Sequence, residues 1–179
     1  MFHKTRKLAL DAMLAAMCAV LGYLSLDFGN LKITFESLPI LVGALLFGAS
    51  DGAAIAGVGT FIYQLIRYGI TVTTPLWFLP YVLGGLLVGF YARRRAFALS
   101  QVQTIFIVTA AELMITVLNT GALYIDSHIF GYYTATLIYG VLALRLGICV
   151  VKALAFAFLL PPLLKALQEK DRGKPEKNP

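Results

Sequence analysis

LIYGVLALRLGICVVKALAFAFLL, residues 137–160, is the stretch that decides the fold. It is long and apolar enough to cross a bilayer, which takes ~20 mostly apolar residues. Yet it carries Arg145 and, seven residues on, Lys152. That spacing is close to two turns of α-helix, so both cations fall near one face. A cation inside a span costs ~2.5–3.5 kcal/mol on insertion scales, and it survives where it meets a bundle interior, a wet cavity or an anion. The one acid that the apolar pattern buries elsewhere is Glu112. It can form a structural ion pair with Lys152, or an intramembrane proton relay. One carboxylate cannot neutralise both cations, so Arg145 is the better candidate for an anionic ligand.

The rest of the chain is of the same kind. Of its 179 residues, 59% are hydrophobic and only 13% charged, with a mean hydropathy of +0.81. A soluble domain would have roughly a quarter of its residues charged. The composition predicts an all-α integral membrane protein, a single domain over residues 1–179. The net charge of +6 does not imply nucleic acid. Most of the Lys and Arg lie in three clusters: Lys4, Arg6 and Lys7; Arg93 to Arg95; and the tail from Lys165 to Lys177. Such clusters mark the cytoplasmic side. Cys18 and Cys149 both sit in apolar runs and read as small buried residues, with no disulfide framework or metal site.

Parity fixes the number of crossings. Leu8–Leu26 is the first span, retained rather than cleaved as a signal peptide. Leu76–Tyr91 is another and ends at the basic turn Arg93–Arg95. An even number of crossings must separate the two basic clusters. The apolar run Leu38–Arg67 therefore crosses twice, broken at Ser50-Asp51-Gly52, with Ser50 or Asp51 expected to cap the second helix. Val102–Tyr124 and Leu137–Leu160 complete six helices, the last ending at Pro161-Pro162. Both termini lie in the cytoplasm, with a basic tail over residues 165–179. The outer loops are Asp27–Glu36, with a turn at Gly29-Asn30 and a short extended piece at Ile33 and Phe35, then Tyr68–Pro75 and Ile125–Thr136.

Helical rise of ~1.5 Å per residue then estimates depth. Asn119 and Arg145 fall at similar depth in the outer half. Tyr63, Gln64 and Arg67 end the third span on that side, and Trp77 opens the fourth. With Asn30 from the first outer loop, these residues form a candidate pocket of cations, amides and aromatic faces, suited to a small organic anion. Trp77 read alone is equally an interface anchor, and Arg67 a snorkelling headgroup contact. Glu112 and Lys152 lie deeper, as a pair. On the first span, Ala12 and Ala16 are four apart, and so are Ala15 and Ala19. Small residues at this spacing let another helix approach closely, from a partner or from the same chain.

The sequence holds no GxxxxGK[ST] phosphate loop, no HExxH and no acid cluster for a metal. No nucleophile and base stand together, so an enzyme is not expected. Besides capture of an organic anion, the residues admit a stand-alone proton-coupled carrier using Glu112 and Lys152, and a non-transporting scaffold whose alanine stripe binds a partner.

The layout resembles the substrate-binding S components of energy-coupling factor (ECF) vitamin transporters. The likeness covers most of the chain and is carried by LKITFESLPILVGALLFGASDGAAIAG after the first span and by ALDAMLAAMCA within it. It implies that the alanine surface, Ala12 and Ala16 with Ala15 and Ala19 as a second register, docks on a transmembrane coupling subunit driven by two ATPase subunits. ATP would be used by those partners, with no cofactor in this chain, at the bacterial plasma membrane. The sequence is most similar to the folate-type group, through the basic pair Arg145 and Lys152. It departs from the family at Ala49, where a proline is usual. The resemblance therefore implies a small anionic B-type vitamin, folate or pantothenate.

Overall fold

A computed structural model describes residues 4–28, 31–140 and 142–172. The chain runs as α1 (Lys4–Tyr23), a hairpin of β1 (Leu26–Phe28) and β2 (Leu31–Ile33), α2 (Ser37–Phe47), α3 (Ala49–Tyr68), α4 (Thr74–Arg94), α5 (Gln101–Ile129), a π turn (Thr136–Gly140) and α6 (Leu142–Arg172). The hairpin is antiparallel, with Leu26 opposite Ile33. The expected extended piece is therefore present as β2, while Phe35 lies beyond the strand. The turn at Gly29-Asn30 is outside the described residues.

The run expected to cross twice is indeed two helices. They break at Gly48, whose φ of 103° lies in the left-handed region that glycine occupies without strain. Neither Ser50 nor Asp51 caps α3, contrary to expectation. Gly48 is itself the N-cap and no side chain closes it. Asp51 instead sits in the first turn of α3, where its negative charge suits the helix N-terminus. There it pairs with Lys7 of α1 at 2.7 Å. The next turn at this end is ordered by a capping box, in which the Ser100 hydroxyl accepts from the Gln103 amide and the Gln103 side chain accepts from the Ser100 amide.

Two helices outrun their sequence boundaries. α5 continues to Ile129, so Asp126 and His128 belong to its last turns and not to a loop. α6 continues through Pro161 and Pro162 to Arg172. Proline's fixed φ is compatible with a helix, although it removes donors and disfavours helix in the residue before it. Here that residue, Leu160, is fully buried beside Ala157 and Phe156, and this packing holds the helix on course.

α4, α5 and the segment Thr136–Leu167 are each long and apolar enough to cross a membrane, and α2 is a shorter apolar helix. α3 is central, packing chiefly on α4 and α1, with α2 against both α3 and α4. Glycine allows the close approach of α3 and α4. A Cβ on Gly85 would stand 2.7 Å from the backbone carbonyl of Gly52. Between α1 and α3, a Cβ on Gly59 would stand 2.8 Å from the Ala15 carbonyl oxygen. Ile40, Leu41, Ile55, Val88 and Val108 fill the dry core between these helices. α5 and α6 pack mainly on each other, and α5 also on α4.

Candidate ligand-binding site

Beside the aliphatic core, the chain lines a partly open cavity of about 770 Å³. That is within the ~300–1,000 Å³ of small-molecule sites. Its wall is built from helix ends: the last turns of α3 with Tyr63, Gln64 and Arg67, the first turns of α4 with Trp77 and Tyr81, and the C-terminal half of α5 with Thr116 and Asn119. α6 adds Arg145, Cys149 and Lys152, and the segment after the hairpin adds Thr34 and Glu36.

Two levels can be distinguished along α5 and α6. At the inner level, Lys152 Nζ lies 2.7 Å from Glu112 Oε2, with Glu112 fully buried and Lys152 13% exposed. This is a close ion pair without the angle of a good hydrogen bond. Lys152 Nζ also donates to the Thr34 carbonyl at 3.4 Å and lies over the Phe156 ring. One ammonium thus joins α5, α6 and the segment after the hairpin. Beside it is Glu36, only 2% exposed. Glu36 occupies the N-cap of α2, yet its carboxylate makes no cap bond. It turns toward the cavity, accepting from the Thr34 hydroxyl at 3.1 Å, with Tyr81 on the same cavity wall. Gly22 of α1 makes the room: a Cβ there would stand 2.8 Å from Glu36 Oε2 and 2.9 Å from the Tyr63 ring.

The outer level lies seven residues away on both helices, ~10 Å of rise. It holds Arg145 and Asn119, whose Oδ1 is buried with no hydrogen-bond partner among the described residues. Arg67 Nη1 donates to the Ser25 hydroxyl at 2.9 Å and to the Tyr23 carbonyl at 3.3 Å, tying the end of α3 to the end of α1. Asp126 is a third tie. It accepts from Trp77 Nε1 at 3.4 Å and from the Tyr132 hydroxyl, so α4, α5 and the following loop meet on one carboxylate. Burial first, then the Asp126 hydrogen bond, raises the Tyr132 hydroxyl above the usual tyrosine range.

The structure brings Tyr63, Gln64, Arg67, Trp77, Asn119 and Arg145 onto one cavity. Asn30 is outside the described residues. Lys152 lines the cavity as well, while Glu112 stands behind it. Glu112 is not the one buried acid: Glu36 and Asp126 are buried too, at 2% and 8% exposure. The hairpin folds the first in behind α2, and the longer α5 carries the second inside. Sequence reasoning missed both. The signal for Asp126 was present, because Glu112, Asn119 and Asp126 recur at intervals of seven and so share a face of α5. Glu36 has no such periodic mark.

On α1 the alanines separate. Ala15 and Ala19 are buried at 5% and 9% exposure, with Ala15 packed on Gly59 of α3, while Ala12 and Ala16 face outward. The Ala15 and Ala19 register is thus used inside the chain. Among the described residues, no group of His, Cys, Asp or Glu could hold a metal ion, and Cys18 and Cys149 are free and buried.

Residues 6–167 match the family described as "ECF transporter, substrate-specific component". No curated protein matches the chain in sequence. Among solved structures, the chain is similar to the S-component for biotin from an ECF-type ABC transporter, determined at 2.1 Å. The TM-score is 0.67 at 17% identity, over 92% of this chain and 95% of that one. At this identity the likeness concerns the fold.

Proposed function

Because the chain belongs to the family of substrate-specific components of ECF transporters, we propose that it captures a small anionic B-type vitamin, folate or pantothenate, at the outer face of the bacterial plasma membrane. A member of this family is a multi-pass membrane protein that binds the transported substrate, and it is not an enzyme. The observation that carries the finer reading is Arg145 on the wall of a 770 Å³ cavity that also presents Asn119, Tyr63, Gln64, Arg67 and Trp77. A guanidinium at the outer level of α6 offers charge-assisted, paired hydrogen bonds to a carboxylate, and aromatic faces beside it suit a planar ring. The outward orientation is supported by Lys7, Asp51 and the turn Arg93–Arg95, which belong to the opposite end of the helices.

In this reading Glu112 and Lys152 are a structural pair that anchors α5 to α6. Ala12 and Ala16 form the docking surface for a transmembrane coupling subunit, which two ATPase subunits drive. Docking tilts the loaded chain in the membrane and releases the vitamin inside. This chain supplies recognition, and its partners supply ATP hydrolysis.

The test uses the purified chain titrated calorimetrically with folate, pantothenate and biotin, then placed in proteoliposomes with and without an ECF module. The expected result is tight binding of one vitamin by the lone chain and uptake only with the module and ATP. Uptake by the lone chain under a proton gradient would replace this reading with a proton-coupled carrier. Failure to bind any of the three would remove the vitamin assignment.

A further inference from the structure

We propose that Glu36 is a specificity-determining residue, holding a neutral, N–H-bearing head of the ligand at the inner level while the ligand's carboxylate points out to Arg145. The inference rests on the vitamin-capture reading and adds the ligand's direction and the chemistry of its far end.

Three observations carry it. First, Glu36 is an acid at a helix N-terminus that leaves the helix uncapped and lines the cavity instead. A carboxylate there would ordinarily stabilise the orphan amides of the first turn. Second, the position is built. Gly22 leaves space that a methyl group would fill, Thr34 donates to the carboxylate, and Glu36 is 2% exposed. An ionised carboxylate only accepts hydrogen bonds, at about four sites, so what it recognises in a ligand is a donor. Third, the cavity carries opposite signs at its two levels. Glu36 stands at the level of Lys152, and Arg145 stands ~10 Å outward along α6.

The neighbours of Glu36 choose between a cationic and a neutral donor. Lys152 Nζ contacts the carbonyl of Thr34, whose hydroxyl donates to Glu36. A cationic head would compete with Lys152 for the Glu112 carboxylate, whereas a neutral ring N–H leaves that ion pair intact. Tyr63 and Tyr81, both buried, flank the site and suit a flat ring. The substrate class is therefore a small carboxylic acid whose other end is a neutral heterocycle with ring N–H groups. Folate and biotin have such an end. Pantothenate ends in hydroxyls, so the inference narrows the pair proposed above to folate and admits biotin beside it.

The experiment titrates the wild-type chain, Glu36→Gln and Arg145→Ala in detergent by calorimetry. The probes are folate, biotin, pantothenate and two carboxylate-free heads, pterin and biotinamide. The expected tight ligand is folate or biotin. Glu36→Gln should weaken that vitamin and its carboxylate-free head alike, by about 10-fold or more. Arg145→Ala should weaken the vitamin by about 30-fold or more and leave its head within about twofold. Glu36→Asp, which keeps the charge but withdraws it by one methylene, should fall between, and it replaces Glu36→Gln if that variant melts early. Pantothenate as the tight ligand would overturn the head assignment and leave vitamin capture standing. Unchanged affinity in Glu36→Gln, or equal loss of the head in both variants, would overturn the direction of binding. If the wild type binds none of the three vitamins, the underlying reading fails and this inference with it.

Discussion

The seam between α3 and α4 and the wall between α5 and α6 solve opposite problems within one bundle. At the seam, Gly52 and Gly85 bring two backbones into contact, and the neighbouring core is aliphatic and dry. At the wall, the two helices present Glu112, Asn119 and Asp126 against Arg145 and Lys152. The seam gains dispersion contacts by removing side chains. The wall keeps long polar side chains, and with them a cavity. Lys152 pairs with Glu112 at 2.7 Å. Arg145, two turns outward, faces the chamber. The same helix thus carries one cation for structure and, on our proposal, one for the ligand.

Perturbing each region tests this division. The largest effect should come from Glu112→Leu, which strands the Lys152 ammonium in a buried position. Breaking one partner of such a pair costs about 3–5 kcal/mol. A thermal melt of the detergent-solubilised chain should show early unfolding, and the double change Glu112→Leu with Lys152→Met should recover most of it. Early unfolding in the double variant as well would mean that the wall needs the ion pair as such. The next largest effect should come from the seam. Gly85→Val puts a branched side chain where a single Cβ already meets the Gly52 backbone at 2.7 Å. Overpacking of this kind costs about 1–3 kcal/mol. A melt matching wild type would show that the seam yields. The smallest effect on stability is expected for Ala12→Leu, because Ala12 faces outward. Vitamin affinity should be unchanged, while ATP-driven uptake with an ECF module should be lost. Normal uptake would move the docking surface elsewhere.

Much of this division could be read in the residues beforehand. The basic clusters and their parity require two helices in Leu38–Arg67, and two are present. The seven-residue spacing of Arg145 and Lys152 places both on the cavity side. Alanine spacing on α1 marks two registers, but spacing cannot say which one faces inward. Gly59, more than thirty residues away in sequence, decides it by receiving Ala15. Glu36 was illegible for a related reason. A polar stretch before an apolar helix reads as a solvated loop, and only the hairpin and Gly22 turn that acid inward. Proline weighs against helix locally, so the sequence ends α6 at Pro161-Pro162, while Leu160 and Phe156 carry it onward through core contacts distant in sequence.

The most direct measurement is calorimetric titration of Arg145→Ala beside the wild type, using whichever of folate, pantothenate or biotin the wild type binds, with a thermal melt of each ligand-free chain. Truncating one partner of a buried charge pair costs about 2–5 kcal/mol. The account therefore predicts at least a 30-fold loss of affinity at a nearly unchanged melting temperature. Equal affinity in the two chains would contradict it, because the outer cation of α6 would then have no part in holding the ligand.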